Sequence, residues 1–265
     1  GADDAQAQRA FTELEQLFNQ MHRDWHAWEP GPLVELNQAL ATQGVADVPQ
    51  SILPLLAPAQ RLSRASERLF DPAIGGLLAL WGFHSDDPPQ RPPEAAAIAA
   101  QVAKHASMSD LKLDGTKLQT SNRAVQLDFG GFAKGYAAQY GAQYLRALGI
   151  HDAIVAVAGD IHVIGTHGDR PWRVGIRHPR APGVLAATEL RDGESISTSG
   201  DYERYFEFDQ QRYHHLLDPR TGYPAQGVTS VTVIARDGAT ADAAASALFI
   251  AGPKDWTRVA RAMGV

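Results

Sequence analysis

"AVQLDFGGFAKGY", residues 124–136, joins two kinds of local pattern. The first half reads as a strand that runs into the glycine pair Gly130-Gly131. Residues 132–148 then read as a helix, with Gly149 placed as its C-terminal stop. A strand, a glycine turn and a helix start can bring backbone amides close to phosphate oxygens, with the helix N-terminus adding positive potential. Lys134 falls in the first helical turn, where a cation gains nothing from the helix dipole. The spacing is not that of a P-loop, and an ordinary tight turn would use glycine equally well.

Working outward, the N-terminal third reads as helices. Phe11, Leu14, Leu17, Met21 and Trp25 form one apolar stripe at helical spacing. Ser51 is placed to cap a second helix whose inward residues are Ile52, Leu55, Leu56, Ala59, Leu62 and Leu69. "FDPAIGGLLALWGF" (70–83) reads as a packed loop or broken helix, "HSDDPPQRPP" (84–93) as a surface connector, and "EAAAIAAQVAKHA" (94–106) as a further helix. "LKLDGTKLQT" (111–120) is a hairpin around Asp114-Gly115. "DAIVAVAGDIHVIG" (152–165) gives two strands about a tight turn. Strands follow in "WRVGIRHP", "YERYFEFD", "QRYHHLL" and "VTSVTVIA", before a helical C-terminus. There is no internal repeat and no low-complexity linker. The expected fold is α+β, a mixed sheet with a helical N-terminal part.

Composition narrows the chemistry. The chain has 265 residues, 44% hydrophobic and 20% charged, with a net charge of -6. No run of Lys or Arg suits phosphate neutralisation on nucleic acid, so no nucleic-acid partner is expected. No apolar run approaches the roughly 20 residues of a membrane span. The absence of cysteine excludes disulfides, thiolate metal sites and a cysteine nucleophile.

Four clusters could carry chemistry. The Asp128–Lys134 turn is one. In "ADAAASA", Asp242 and Ser246 lie four apart on one helix face and offer two oxygens to a hard cation such as Mg²⁺, although aspartate near a helix start is also favoured by the dipole alone. Ser197, Thr198, Ser199 and Gly200 form a polar stretch suited to a polyol, a phosphate or a turn. In "YHHLLDPRTGYPAQG" (213–227), strand alternation lets at most one of His214 and His215 face a given cavity.

In order, "DFGGFAKGY", "AGDI", "STSGDYERYF", "HHLLDPRTGYP" and "ADAAASALF" closely resemble the ApbE family of FAD:protein FMN transferases, once called thiamine-biosynthesis lipoproteins. "WEPGPLVELN" and "FDPAIGGLLALWGF" extend the resemblance over nearly the whole chain. It implies a T-fold-related domain over residues 1–265, Mg²⁺ dependence, FAD as donor, and transfer of FMN to a threonine hydroxyl of an acceptor protein, such as a subunit of a redox-driven ion pump. Carried over, Asp128 and Lys134 are FAD contacts. The Gly131 carbonyl with Asp242 and Ser246 is the Mg²⁺ site. Trp28 borders the flavin, Phe70 and Asp71 line the same cavity, Ser199 and Gly200 match the "STSG" segment, and His215 faces the phosphates; His215 and Asp242 are the catalytic candidates. The general base stays open between Asp and His.

The family's early Met-Gly-Thr strand has no counterpart here, and its "NAGGD" reads "AVAGD", with Ala158 in place of a glycine. The resemblance also implies an extracytoplasmic, periplasmic setting with a membrane anchor on the precursor. An FAD pyrophosphatase and a non-catalytic FAD-binding module are the alternative readings of the same site.

Overall fold

The computed structural model describes residues 4–85, 87 and 89–265. Asp86 and Pro88 of the expected surface connector lie outside the described residues. The elements are α1 (Asp4–Trp25), α2 (Pro32–Gln43), β1 (Val45–Asp47), α3 (Leu53–Ala65), α4 (Gly75–Leu80), α5 (Ala95–Val102), β2 (Leu111–Asp114), β3 (Lys117–Thr120) and α6 (Ala133–Ala147). They continue as β4 (Ala153–Val157), β5 (Asp160–Ile164), β6 (Trp172–Arg177), β7 (Val184–Leu190), β8 (Ser195–Gly200), β9 (Tyr205–Phe208), β10 (Gln211–His214), β11 (Ser230–Ala235) and α7 (Gly238–Met263).

The central sheet has the order β11-β8-β5-β4. Its pairings, like those of the other named strands, are antiparallel. The sheet is therefore antiparallel where a mixed one was expected; the parallel contact among the described residues is an isolated bridge, Ile74 to Gln126. Strand alternation gives the sheet two different faces. Val163 and Ile196 meet Val174 and Leu190 of the β6–β7 hairpin on one side. On the other, Val155 and Ile164 meet α6 and α1, and Val233 joins the large core built around α7.

Helix α7 is buried at every residue from Gly238 to Ile250. Six alanines among these residues let neighbouring backbones approach closely. At Gly252 the backbone turns to φ 73° ahead of Pro253 and the helix kinks, because proline cannot donate to the helical ladder and a left-handed residue is cheapest as glycine.

Four local expectations differ from the structure. The segment before Gly130 is extended but joins no strand. The Gln126 N–H donates to Ala73 O, the Asp128 N–H to Pro72 O, and the Gln126 carbonyl accepts from Gly75 N. Asn37 closes both sides of Leu127, donating to its carbonyl at 2.9 Å and accepting its N–H at 2.7 Å. The backbone is thus satisfied by a loop and a buried amide, not by a sheet. The α1 stripe holds at Leu14, Met21 and Trp25 but not at Phe11. Phe11 is 65% exposed, whereas Ala10, Leu14 and Phe18 pack with Ala138, Ala142 and Leu145 of α6. Helix α3 starts one residue after Ile52 and has no side-chain cap, so Ser51 does not cap it, although all six inward residues expected of that region are buried. The 111–120 hairpin turns at Gly115-Thr116, since Asp114 pairs with Lys117.

Candidate active site

A cavity of about 870 Å³ opens where the end of β8, the 128–134 turn, α7, the β6 strand and the 26–28 loop converge. That is within the ~300–1,000 Å³ of small-molecule sites. Trp28, Phe70, Asp71, Asp128, Gly131, Lys134, Ser199, Gly200, His215, Asp242 and Ser246 all line it. The chain thus brings together every site residue expected from the sequence, from segments more than 200 positions apart.

An anionic cluster sits at the start of α6. Lys134 Nζ lies 3.1 Å from Asp160 Oδ2 and 3.2 Å from Asp242 Oδ2, and donates to the Gly130 carbonyl at 3.1 Å. Asp242 Oδ2 also accepts the Gly135 N–H at 3.1 Å. Burial pushes the Asp242 carboxyl up, and Asp160 adds to this, against the downward pull of Lys134. Burial also disfavours the charged lysine, but the two carboxylates outweigh it and hold the ammonium above the ordinary lysine range. Lys134, expected as an FAD contact, is here the counter-ion of two buried acids. Asp160, the aspartate of the "AGDI" motif, comes directly after the β4–β5 turn, which aims it at Lys134.

Ser246 lies one turn beyond Asp242 on the same face of α7, and its Oγ is 3.0 Å from Ser199 Oγ of β8. Gly131 is adjacent: a Cβ there would sit 3.2 Å from the Phe70 ring and 3.9 Å from Ser246 Oγ. The donor set is therefore all oxygen, which suits a hard cation such as Mg²⁺. A cation, the Lys134 ammonium, already occupies the space between its carboxylates. The residues fit such an ion.

An aromatic and cationic wall faces this cluster. His84 lies 5.1 Å from the Trp28 indole at an interplanar angle of 20°. His26 meets Trp28 edge-on at 4.2 Å, and the Arg204 guanidinium carbon is 5.1 Å from the indole centroid. His84 Nε2 contacts Asp128 Oδ2 at 2.8 Å, and Asp128 Oδ1 accepts the Gly130 N–H at 2.8 Å. Burial raises the Asp128 carboxyl, but His84, Gly130 and Arg204 together bring it below the usual carboxylate range. His84 falls in the 84–93 connector and Arg204 inside the "STSGDYERYF" motif, and neither has a role assigned from the sequence.

The two histidines of 213–227 separate as alternation requires. His214 is buried, with Nε2 bonded to Ala225 O at 2.9 Å and its ring edge-on to Phe249 at 5.4 Å. His215 lines the cavity just beyond the end of β10. Its Nδ1 donates to Arg204 O at 3.3 Å, leaving Nε2 as the acceptor nitrogen. Burial lowers His215 to about 4, so the ring is neutral near pH 7.

Asp71 lines the cavity as expected, but its side chain is also tied into the fold. Its carboxylate accepts from Ala73 N, Met108 N, Ser63 Oγ and Ser107 Oγ at 2.9–3.2 Å. It fastens the "FDP" segment to the 107–108 turn. Gly200 has a steric reason: a Cβ there would come 2.4 Å from the Tyr202 ring. At the cavity wall, where His22 and His26 line it, donor atoms of His22, His26 and Glu29 lie within 4.8 Å of one another. His26 Nδ1 accepts the Glu29 N–H at 3.0 Å, which puts the imidazole proton on Nε2, where a metal would have to replace it.

Comparison with known proteins finds relatives along the whole chain. The FAD:protein FMN transferase of Rhodobacter capsulatus is 48% identical over 265 residues, covering 100% of this chain and 51% of that protein. The chain thus spans about half the length of that relative. The FAD:protein FMN transferase of Treponema pallidum (strain Nichols) is 36% identical over 223 residues, 77% of this chain and 61% of that protein. Among solved structures, the ApbE protein of Thermotoga maritima superposes with a TM-score of 0.90 at 32% identity, covering 98% of this chain and 84% of that one. The apo form of the flavinyl transferase ApbE of Pseudomonas stutzeri gives 0.84 at 33% identity, over 97% and 81%. The family model described as "ApbE family" matches residues 3–265, and the chain belongs to that family.

Proposed function

We propose that this chain transfers FMN from FAD to a threonine hydroxyl of an acceptor protein and releases AMP, with Mg²⁺ required. The observation that carries the reading is the convergence of Asp242, Ser246 and the Gly130–Gly131 turn in one cavity with the Trp28 wall, with Asp160 and Asp242 both paired to Lys134. Trp28 offers an aromatic face to the isoalloxazine ring. Asp242, Ser246 and the Gly131 carbonyl would hold the ion. When bound, it supplies neutralisation of pyrophosphate charge and a better adenylate leaving group. His215 presents a neutral Nε2 that can accept the hydroxyl proton. The hydroxyl oxygen then bonds to the FMN-side phosphorus, while the bond to the AMP phosphate oxygen breaks with its electron pair. On the same resemblance, the setting is extracytoplasmic.

Incubation with FAD, Mg²⁺ and an acceptor domain tests this. AMP together with flavin-labelled acceptor is expected. AMP with free FMN would indicate hydrolysis, and tight FAD binding with neither product a carrier. Asp242→Ala is expected to abolish Mg²⁺-dependent turnover, and Ser246→Ala to cost less, since water can replace a neutral oxygen.

A further inference from the structure

We propose that Arg204 is the residue that binds the phosphate part of the dinucleotide, and so makes the cavity selective for FAD over uncharged flavins. The proposal rests on the flavin reading above and deepens it. Two other cations line the cavity, Lys134 and Arg177. Lys134 is matched by Asp160 and Asp242 at 3.1 and 3.2 Å. Arg177 has Glu203 at 3.9 Å. Among the described residues, Arg204 has no carboxylate at ion-pair distance. Asp128 is near enough to feel its charge, but a half-buried guanidinium beside a cavity, with no carboxylate at ion-pair distance among the described residues, suits an anion.

Its placement is built. One guanidinium nitrogen, Nη2, donates to Ser85 O at 2.9 Å, and the planar group lies 5.1 Å from the Trp28 ring. These contacts leave further N–H groups of the fork for a ligand. The Arg204 carbonyl accepts the backbone N–H of His215 at 3.1 Å and its Nδ1–H at 3.3 Å. One residue therefore ties the aromatic wall to the imidazole that faces the cavity. An anion held there would lie between the two.

Binding of FAD and of riboflavin, followed by flavin fluorescence without Mg²⁺ or acceptor, separates the possibilities. Arg204→Met is expected to weaken FAD by about 10- to 100-fold, the scale of one charge-assisted contact, and to leave riboflavin unchanged. Arg204→Lys should recover part of the loss. In the wild type, added salt should weaken FAD and spare riboflavin. Equal losses for both flavins in Arg204→Met would show that the side chain only supports Trp28 and would overturn the proposal, as would an unchanged FAD affinity. A wild type that binds no FAD overturns this assignment and the transferase reading together. One that binds FAD with the expected selectivity but labels no acceptor leaves Arg204 in place and removes transfer alone.

Discussion

Gly135 of α6 and Gly238 of α7 touch backbone to backbone. A Cβ on Gly135 would lie 2.1 Å from the Gly238 carbonyl oxygen, and one on Gly238 would lie 2.2 Å from that of Gly135. This crossing sets Asp242, one turn along α7, against the first turn of α6, where it takes the Gly135 N–H and the Lys134 ammonium. Gly135→Ala would push the helices apart. Overpacking of this kind costs about 1–3 kcal/mol, and for a chain of this size each 1 kcal/mol moves Tm by about 2–4 °C. The variant should melt several degrees lower and need more Mg²⁺ for half-maximal activity. An unchanged melt would mean that the crossing relaxes freely.

Ala158 has φ 48° and Gly159 φ 99°, so the β4–β5 hairpin has both central residues in the positive-φ region, as in a type I′ turn. An L-residue in the left-handed region costs about 1–2 kcal/mol. Glycine removes that cost but loosens the unfolded chain by about 0.4–1 kcal/mol. Ala158→Gly should therefore stabilise the fold, by up to about 1.6 kcal/mol from those two figures. Denaturant unfolding with an unchanged m-value checks it. Because Asp160 follows this turn and Ala158 lines the cavity, the variant should keep or improve FAD affinity.

Much of the site could be read from the sequence because its spacing is local. Asp242 and Ser246 share a face by helical period, and His214 and His215 part by strand period. The glycines of 130–131 mark a turn whatever else surrounds them. The ordered motifs then placed these pieces in one family. What sequence could not supply were partners fixed only by the tertiary fold. His84 reaches Asp128 across 44 positions, and Asn37 replaces a strand beside Leu127 across 90. Both contacts are made by residues with no periodic signature. Lys134 was correctly placed in the first turn of α6, but its orientation toward two acids depends on the helix crossing, which no local pattern encodes. Asp71 shows the converse: a polar residue in a matched motif can also serve the fold, as its bonds to Ser107 and Met108 do.

Acid should destabilise the protein through its buried histidines. Burial lowers His162 and His214 below 6.5, and His215 from 6.5 to about 4. Between these values the unfolded chain binds protons that the folded one refuses, so stability falls as pH drops below about 6.5. The His215 contribution is fully present above its unfolded value and is lost by about pH 4. Urea unfolding from pH 4.5 to 7.5 should show a shallower slope for His215→Asn than for the wild type. Equal slopes would mean that the imidazole is solvated and titrates normally. The activity loss in His215→Asn should vary little between pH 6 and 8, because the wild-type ring is already neutral there.

Trp28 should report on occupation of the cavity. Its indole is packed between the loop carrying His26 and two other segments, through His84 at 5.1 Å and the Arg204 guanidinium at 5.1 Å. An isoalloxazine ring that borders it must either extend this stack or take the place of one neighbour. In both cases tryptophan emission is quenched, and the aromatic pair adds roughly 0.5–1.5 kcal/mol beyond buried area. That corresponds to a loss of about two- to tenfold in FAD affinity for Trp28→Leu and less for Trp28→Phe, which keeps an aromatic face. The chain has five tryptophans, so the informative quantity is the part of the quench that vanishes in Trp28→Phe. If FAD quenches that variant as fully as the wild type, with the same affinity, the ring of the flavin lies elsewhere in the cavity. Riboflavin should reproduce the Trp28-dependent quench, since the ring system alone makes this contact, and AMP should not. A quench by AMP would put adenine, not the flavin, against the indole.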